Sequence, residues 1–124
     1  MIPEVGDIAW VELGSVRGSE QDGRRPALFL SGATYHMASR RAVICPITTK
    51  ARDWPFNVPI PPGLRTTGVV LVDQVRTIDR PERMFDFIER APDGLLAEVR
   101  GLLAALLGFD QATSLVGPGE PGAL

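Results

Sequence analysis

PALFLSGATYHMASRRAVICPITTK, residues 26 to 50, holds two near-continuous apolar runs, Pro26 to Leu30 and Ala42 to Ile47, separated by a polar connection. Apolar runs this short, bounded by turn-forming or charged residues, read as buried β-strands rather than helices. The connection reads as a turn, with His36 in it as a surface or packing histidine that makes at most a modest ligand contact. Outward from this pair, Asp7 to Leu13 upstream and Val69 to Val72 downstream read as strands, as does the short segment Phe85 to Ile88. Gly14 to Arg24 carries three glycines among polar residues and reads as an exposed loop between the first two strands. Residues 49 to 68 are irregular, with Pro55, Pro59, Pro61, Pro62 and Gly63 preventing any long element, although Phe56 to Val58 fits a brief edge strand.

Several strands therefore precede any helix. The one clear helix begins at Pro92, a favoured first helical position, and runs to Leu107 before Gly108, a favoured stop. Leu95, Val99, Leu102 and Leu106 fall on one face, broadened by Leu96 and Leu103, so this helix is expected to lie against the sheet. Internal Gly94 and Gly101 each cost about 1 kcal/mol relative to alanine, so packing must hold it. The order predicts a mainly β fold with a C-terminal helix, a small barrel-like sheet closed by that helix. Residues 1–108 are expected to form one domain, and 109–124, rich in glycine and proline, a mobile tail.

The single cysteine, Cys45, lies inside an apolar run, which excludes an intrachain disulfide and predicts a buried, inert thiol. No stretch approaches a membrane span, and MIPEVGD lacks the features of an export signal, so a soluble cytoplasmic protein is expected. The formal charge is −2, but it is unevenly placed. Residues 24 to 52 carry six bases (Arg24, Arg25, Arg40, Arg41, Lys50 and Arg52) and no acid. Such a segment is either a phosphate-attracting face or an ordinary solvated surface.

Several chemistries are excluded by count. With one histidine and one buried cysteine there is no His/Cys zinc cluster and no Cys/His nucleophile pair, and two-histidine ribonuclease chemistry cannot be assembled within one chain. No glycine-rich phosphate loop opens a helix. What remains is chemistry without metal or cofactor, built on arginine, hydroxyl and carboxylate. Arg25 and Thr48 stand at the mouths of neighbouring strands, and Glu20 lies in the loop upstream. A guanidinium clamps phosphate oxygens, a hydroxyl donates one more hydrogen bond, and a carboxylate can accept a proton. RNA cleavage suits these parts, because RNA supplies its own nucleophile in the 2′-hydroxyl. An arginine with a pKa above about 12 is a poor acid near neutrality, so Arg25 is assigned to charge stabilisation. Trp54 and Phe56 either stack on bases or anchor the proline-rich segment. Asp73 and Gln74 are either ligand contacts or a polar strand end.

These strings together resemble the MazF/PemK family of toxin endoribonucleases from toxin–antitoxin systems. The matching pieces are GDIAWVEL (6–13), GSEQDGRRPALFLS (18–31), VICPITTK (43–50), WPFNV (54–58), GVVLVDQVRTID (68–79), FIERAP (87–92) and the closing helix, in family order. The resemblance implies an SH3-like barrel that forms a homodimer and cleaves single-stranded RNA, usually mRNA, without metal, leaving 2′,3′-cyclic phosphate and 5′-hydroxyl ends. It implies catalytic roles for Arg25, Thr48 and Glu20, with Ser19 and Gln21 as RNA contacts. The implied partner is a MazE-like antitoxin whose disordered C-terminal segment blocks the RNA groove. TYHMASRR (34–41) departs from the family's usual turn by adding two arginines. Two rivals share the fold: a gyrase-poisoning CcdB-like toxin, whose terminal tryptophan is missing here, and an inactive SH3-like binding module.

Overall fold

Strand β3 (Arg41–Thr48) organises the molecule, because three other strands pair with it. A computed structural model of the chain describes residues 2–14, 23–79 and 86–109. One edge of β3 pairs antiparallel with β2 (Arg24–Phe29), which pairs with β1 (Asp7–Glu12), which pairs in turn with β7 (Asp86–Arg90). The other edge of β3 is shared. Its first half pairs with β6 (Arg76–Asp79), and its last residues pair with β5 (Val69–Leu71), whose outer edge carries β4 (Asn57–Pro59). A single 3₁₀ turn, Val72–Gln74, makes the corner between β5 and β6.

Alternation along these strands produces two apolar layers. On one face Ile8, Leu28, Cys45, Ile47, Val58 and Val70 pack with Leu95 and Val99 of α2 (Asp93–Leu107). On the other face Ala9, Val11, Ala27, Phe29, Ala42, Ile44 and Ile78 form a second cluster. The helix follows the expected stripe only in its first turns. Leu95 and Val99 are buried and Leu96, Leu102 and Leu103 half-buried, but Leu106 is 39% exposed, so the reading of Leu106 as a packed residue is corrected. Pro92 serves as the N-cap, one residue outside the helix, and Gly108 ends it in the left-handed conformation with φ 86°.

The mainly β, barrel-like sheet with a closing C-terminal helix is the architecture anticipated above. It is an open sheet, because the described parts of β4 and β7 do not pair. A carboxylate spans the opening instead. Glu89 of β7 accepts hydrogen bonds from the backbone N–H groups of Arg65 (3.1 Å) and Thr66 (2.8 Å) and from the Thr66 hydroxyl (2.6 Å), in the segment joining β4 to β5. Burial alone would raise the Glu89 carboxyl, but the Thr66 side-chain bond, the two backbone bonds and the Arg65 charge outweigh it and hold the group below its usual 4.5. A carboxyl depressed on folding stabilises the fold above its unfolded pKa, and that contribution is lost as pH falls through the folded value. The Glu89→Gln variant is therefore expected to be less stable than wild type near neutrality, the gap narrowing below about pH 4.5 in urea unfolding. A gap that does not vary with pH would remove the Glu89 charge from this latch.

A short helix, α1 (Ala33–Ala38), stands where a turn was expected between the first apolar runs, so a helix does precede later strands. His36 on it is 3% exposed, which corrects its reading as a surface residue and keeps the packing one. Its Nδ1–H donates to the Pro3 carbonyl (2.8 Å), which leaves Nε2 to accept from the Ser31 hydroxyl (2.7 Å). Ser31 Oγ in turn accepts the Val43 N–H at 2.9 Å. Pro3 lies 33 residues from His36 in sequence, so the local composition carried no sign of that contact. Glu20, Ser19, Gln21 and the tail beyond Phe109 lie outside the described residues.

Candidate active site

The β2–β3 register pairs Ala27 with Pro46, and two further residues along each strand it sets Arg25 opposite Thr48. Cross-strand neighbours on one face of a sheet stand close enough to act on the same ligand. Arg25 Nη1 is 3.5 Å from Thr48 Oγ1. The Thr48 oxygen also accepts the Lys50 N–H at 3.1 Å. With N–H donors on its lone pairs, the hydroxyl can direct its own proton outward as a donor. A long contact of this kind also lets the guanidinium take a shorter, charge-assisted bond to a phosphate oxygen.

The pair borders a groove of about 700 Å³. Among the described residues that line it, four are basic (Arg25, Lys50, Arg52 and Arg76) and two acidic (Asp53 and Asp73), a balance that favours a polyanion. Trp54 lines the groove, half exposed, and its indole N–H donates to Asp73 at 2.8 Å. Asp73 therefore fixes the indole, and the Trp54 ring stands ready as a stacking surface. Gln74 lines the same groove. Two tight backbone approaches lie beside the pair's strands. Gly23 (φ 65°) leaves no room for a Cβ against the Gly14 carbonyl, and Gly68 (φ 114°) leaves none against the Thr48 carbonyl.

Arg25, Thr48, Lys50, Trp54, Asp73 and Gln74 are thus brought together. Two other sequence candidates are placed elsewhere. Arg24, one residue from Arg25 on the same strand, ion-pairs with Asp86 at 2.6 Å and lies 4.8 Å over the Trp10 ring, outside the groove lining. Phe56 is half-buried against the main core, with its ring 6.1 Å from that of Trp54. Asn57 and Arg76 line the groove and were not singled out from the sequence. Arg76 belongs to β6, and only recognising RTID as a strand would have turned it toward this face. Cys45 takes no part, since burial first and the Asp73 charge second push its thiol up to about 12.

No group of three His, Cys, Asp or Glu side chains able to hold a metal occurs among the described residues. None of the described helices is long and apolar enough to cross a membrane.

Comparison with known proteins agrees with this fold. The family described as PemK-like, MazF-like toxin of type II toxin–antitoxin system matches residues 4–107. The chain is 40% identical to the endoribonuclease PemK of Escherichia coli over 84% of its length and 81% of that protein's. Among solved structures, MazF of Deinococcus radiodurans superposes with a TM-score of 0.77 at 42% identity, covering 87% of this chain and 98% of that one. A MazE–MazF structure from the same organism matches at TM-score 0.78 and 42% identity, over 87% of this chain and 97% of that one. Sequence, topology and groove converge, and the chain belongs to the PemK-like, MazF-like toxin family of type II toxin–antitoxin systems.

Proposed function

We propose that this toxin endoribonuclease of the MazF/PemK type cleaves single-stranded RNA, mRNA in the cytoplasm, within a short sequence context and without a metal. The observation that carries the reading is the meeting of Arg25 and Thr48 across β2 and β3 at the edge of a basic groove. In this reading the 2′-oxygen attacks the adjacent phosphorus and the bond from phosphorus to the 5′-oxygen breaks. A 2′,3′-cyclic phosphate remains on one product. Glu20 accepts the 2′-hydroxyl proton, and the departing 5′-oxygen takes a proton from solvent to leave as a 5′-hydroxyl. Arg25 stabilises the charge gathering on the phosphoryl oxygens, and the Thr48 hydroxyl holds one of them. Lys50, Trp54, Asp73 and Gln74 bind the flanking RNA, Asp73 by holding the indole. Ser19 and Gln21 contact RNA from the first loop.

The chain works as a homodimer, and a MazE-like antitoxin inhibits it by laying a disordered C-terminal segment along the groove. Leu107 and Phe109, 53% and 64% exposed at the end of α2, supply apolar surface for such association. The direct test is to incubate purified protein with single-stranded RNA in EDTA and map the ends. Cleavage with cyclic phosphate and 5′-hydroxyl termini is expected, and none when the nucleotide at the cut lacks its 2′-hydroxyl. Intact RNA together with inhibited gyrase would overturn the proposal.

A further inference from the structure

A second cavity, of about 390 Å³, shares Arg25 and Thr48 with the groove and none of its other lining residues. The reactive pair is therefore a boundary between two concave sites. An endonuclease must hold nucleotides on both sides of the linkage it cuts, so a strand positioned on this boundary enters both. Among the described residues no Asp or Glu lines the second cavity, and its size falls in the range of about 300–1,000 Å³ usual for small-ligand sites.

Its walls suit a nucleotide. Trp10 sits on β1 between Pro26 of β2 and Asp86 of β7, so its ring meets side chains from both neighbours. Arg24 lies 4.8 Å over that ring, and Asp86 holds its Nη2 at 2.6 Å. A guanidinium held over an indole is a pre-organised platform on which a base can stack. Arg65 also lines the cavity, its backbone anchored to Glu89 and its Nη1 3.4 Å from the Ile88 carbonyl. Its guanidinium carries the fork of donors that recognises phosphate. Thr49 and Thr67 add hydroxyl groups to the lining.

We propose that this cavity is the subsite for the nucleotide flanking the scissile phosphate on the side away from the groove. Its base stacks on the Arg24–Trp10 platform, and its outer phosphate meets Arg65. The inference rests on the nuclease reading above and extends it to the substrate's second flank. Trp10 and Arg65 bind substrate here and take no part in the bond changes.

The test couples protein variants to base deletion. An oligoribonucleotide spanning the cut is compared with versions carrying one abasic residue at each flanking position in turn. Trp10→Ala is expected to raise KM roughly tenfold on the intact strand with kcat within threefold. At one abasic position, on one side of the cut, its effect should vanish. Arg65→Ala should weaken binding on all these substrates and reduce the slope of log affinity against log salt by about 0.7. The same coupling is read from the Kd of a strand with a single 2′-deoxy residue at the cut, which reports occupancy without cleavage. Coupling in Kd without cleavage of the ordinary strand would sink the nuclease reading and leave the subsite standing. Cleavage with Trp10→Ala and base deletion multiplying independently at every position, or with Trp10→Ala silent, would overturn the subsite.

Discussion

Replacing Arg25 by alanine is expected to lower the single-turnover rate of RNA cleavage by about 10² or more, because in the proposed mechanism the guanidinium stabilises the charge that develops on the phosphoryl oxygens. The substitution removes one half-exposed side chain from the start of β2 and leaves the β1–β2 and β2–β3 ladders intact, so stability should scarcely change. Arg25→Lys keeps a charge but loses the two-pronged donor geometry, and it should recover only part of the rate. A fall below threefold for Arg25→Ala would remove this residue from the mechanism.

The second large effect is expected at a glycine. Gly68 has φ 114°, and a Cβ there would overlap the backbone carbonyl of Thr48. Its own carbonyl accepts the Ile60 N–H at 2.9 Å, which fixes the position from the other side. Gly68→Ala should destabilise the fold by about 3 kcal/mol, from backbone strain together with the forced shift of β3. The shift acts on the residue whose hydroxyl faces Arg25. A misplacement of about 1 Å at a reacting group can cost about 10²-fold, so cleavage by the folded fraction should fall at least tenfold. Gly63→Ala supplies the control, since Gly63 also has a positive φ (100°) but nothing stands within 4 Å of its added Cβ. That variant should lose stability and keep its rate. Equal loss of rate in both would show that strain alone, rather than displacement of Thr48, accounts for the effect.

The parts of the fold that could be read from sequence are those in which burial and composition agree. β1, β2 and β3 are apolar because both faces of the sheet are covered, by α2 and its cluster on one side and by the second cluster on the other. β6 escaped because only Ile78 in it is buried, while Arg76, Thr77 and Asp79 are exposed, so RTID has the composition of a loop and is a strand only through its ladder with β3. The strand expected over Val69 to Val72 stops at Leu71, because Val72, apolar and buried, opens the 3₁₀ turn that makes the corner. The Arg25–Thr48 pairing was legible because both residues flank apolar runs that a short connection makes neighbours. Arg24 was grouped with Arg25 because charge was summed along the chain, whereas the structure sets it over Trp10 beside Asp86 and outside the groove lining. The Glu89 latch and the Trp54–Asp73 bond join segments 23 and 19 residues apart, and no local pattern announces such contacts.

The ladder that spaces Arg25 from Thr48 belongs to the interior of the sheet, whereas Lys50, Arg52 and Trp54 belong to the irregular segment after β3. In the proposed mechanism the reactive pair and these groove contacts are thus carried by separable pieces of chain. In that mechanism, changes confined to the irregular segment would alter which strands are held while leaving the reactive pair in its place.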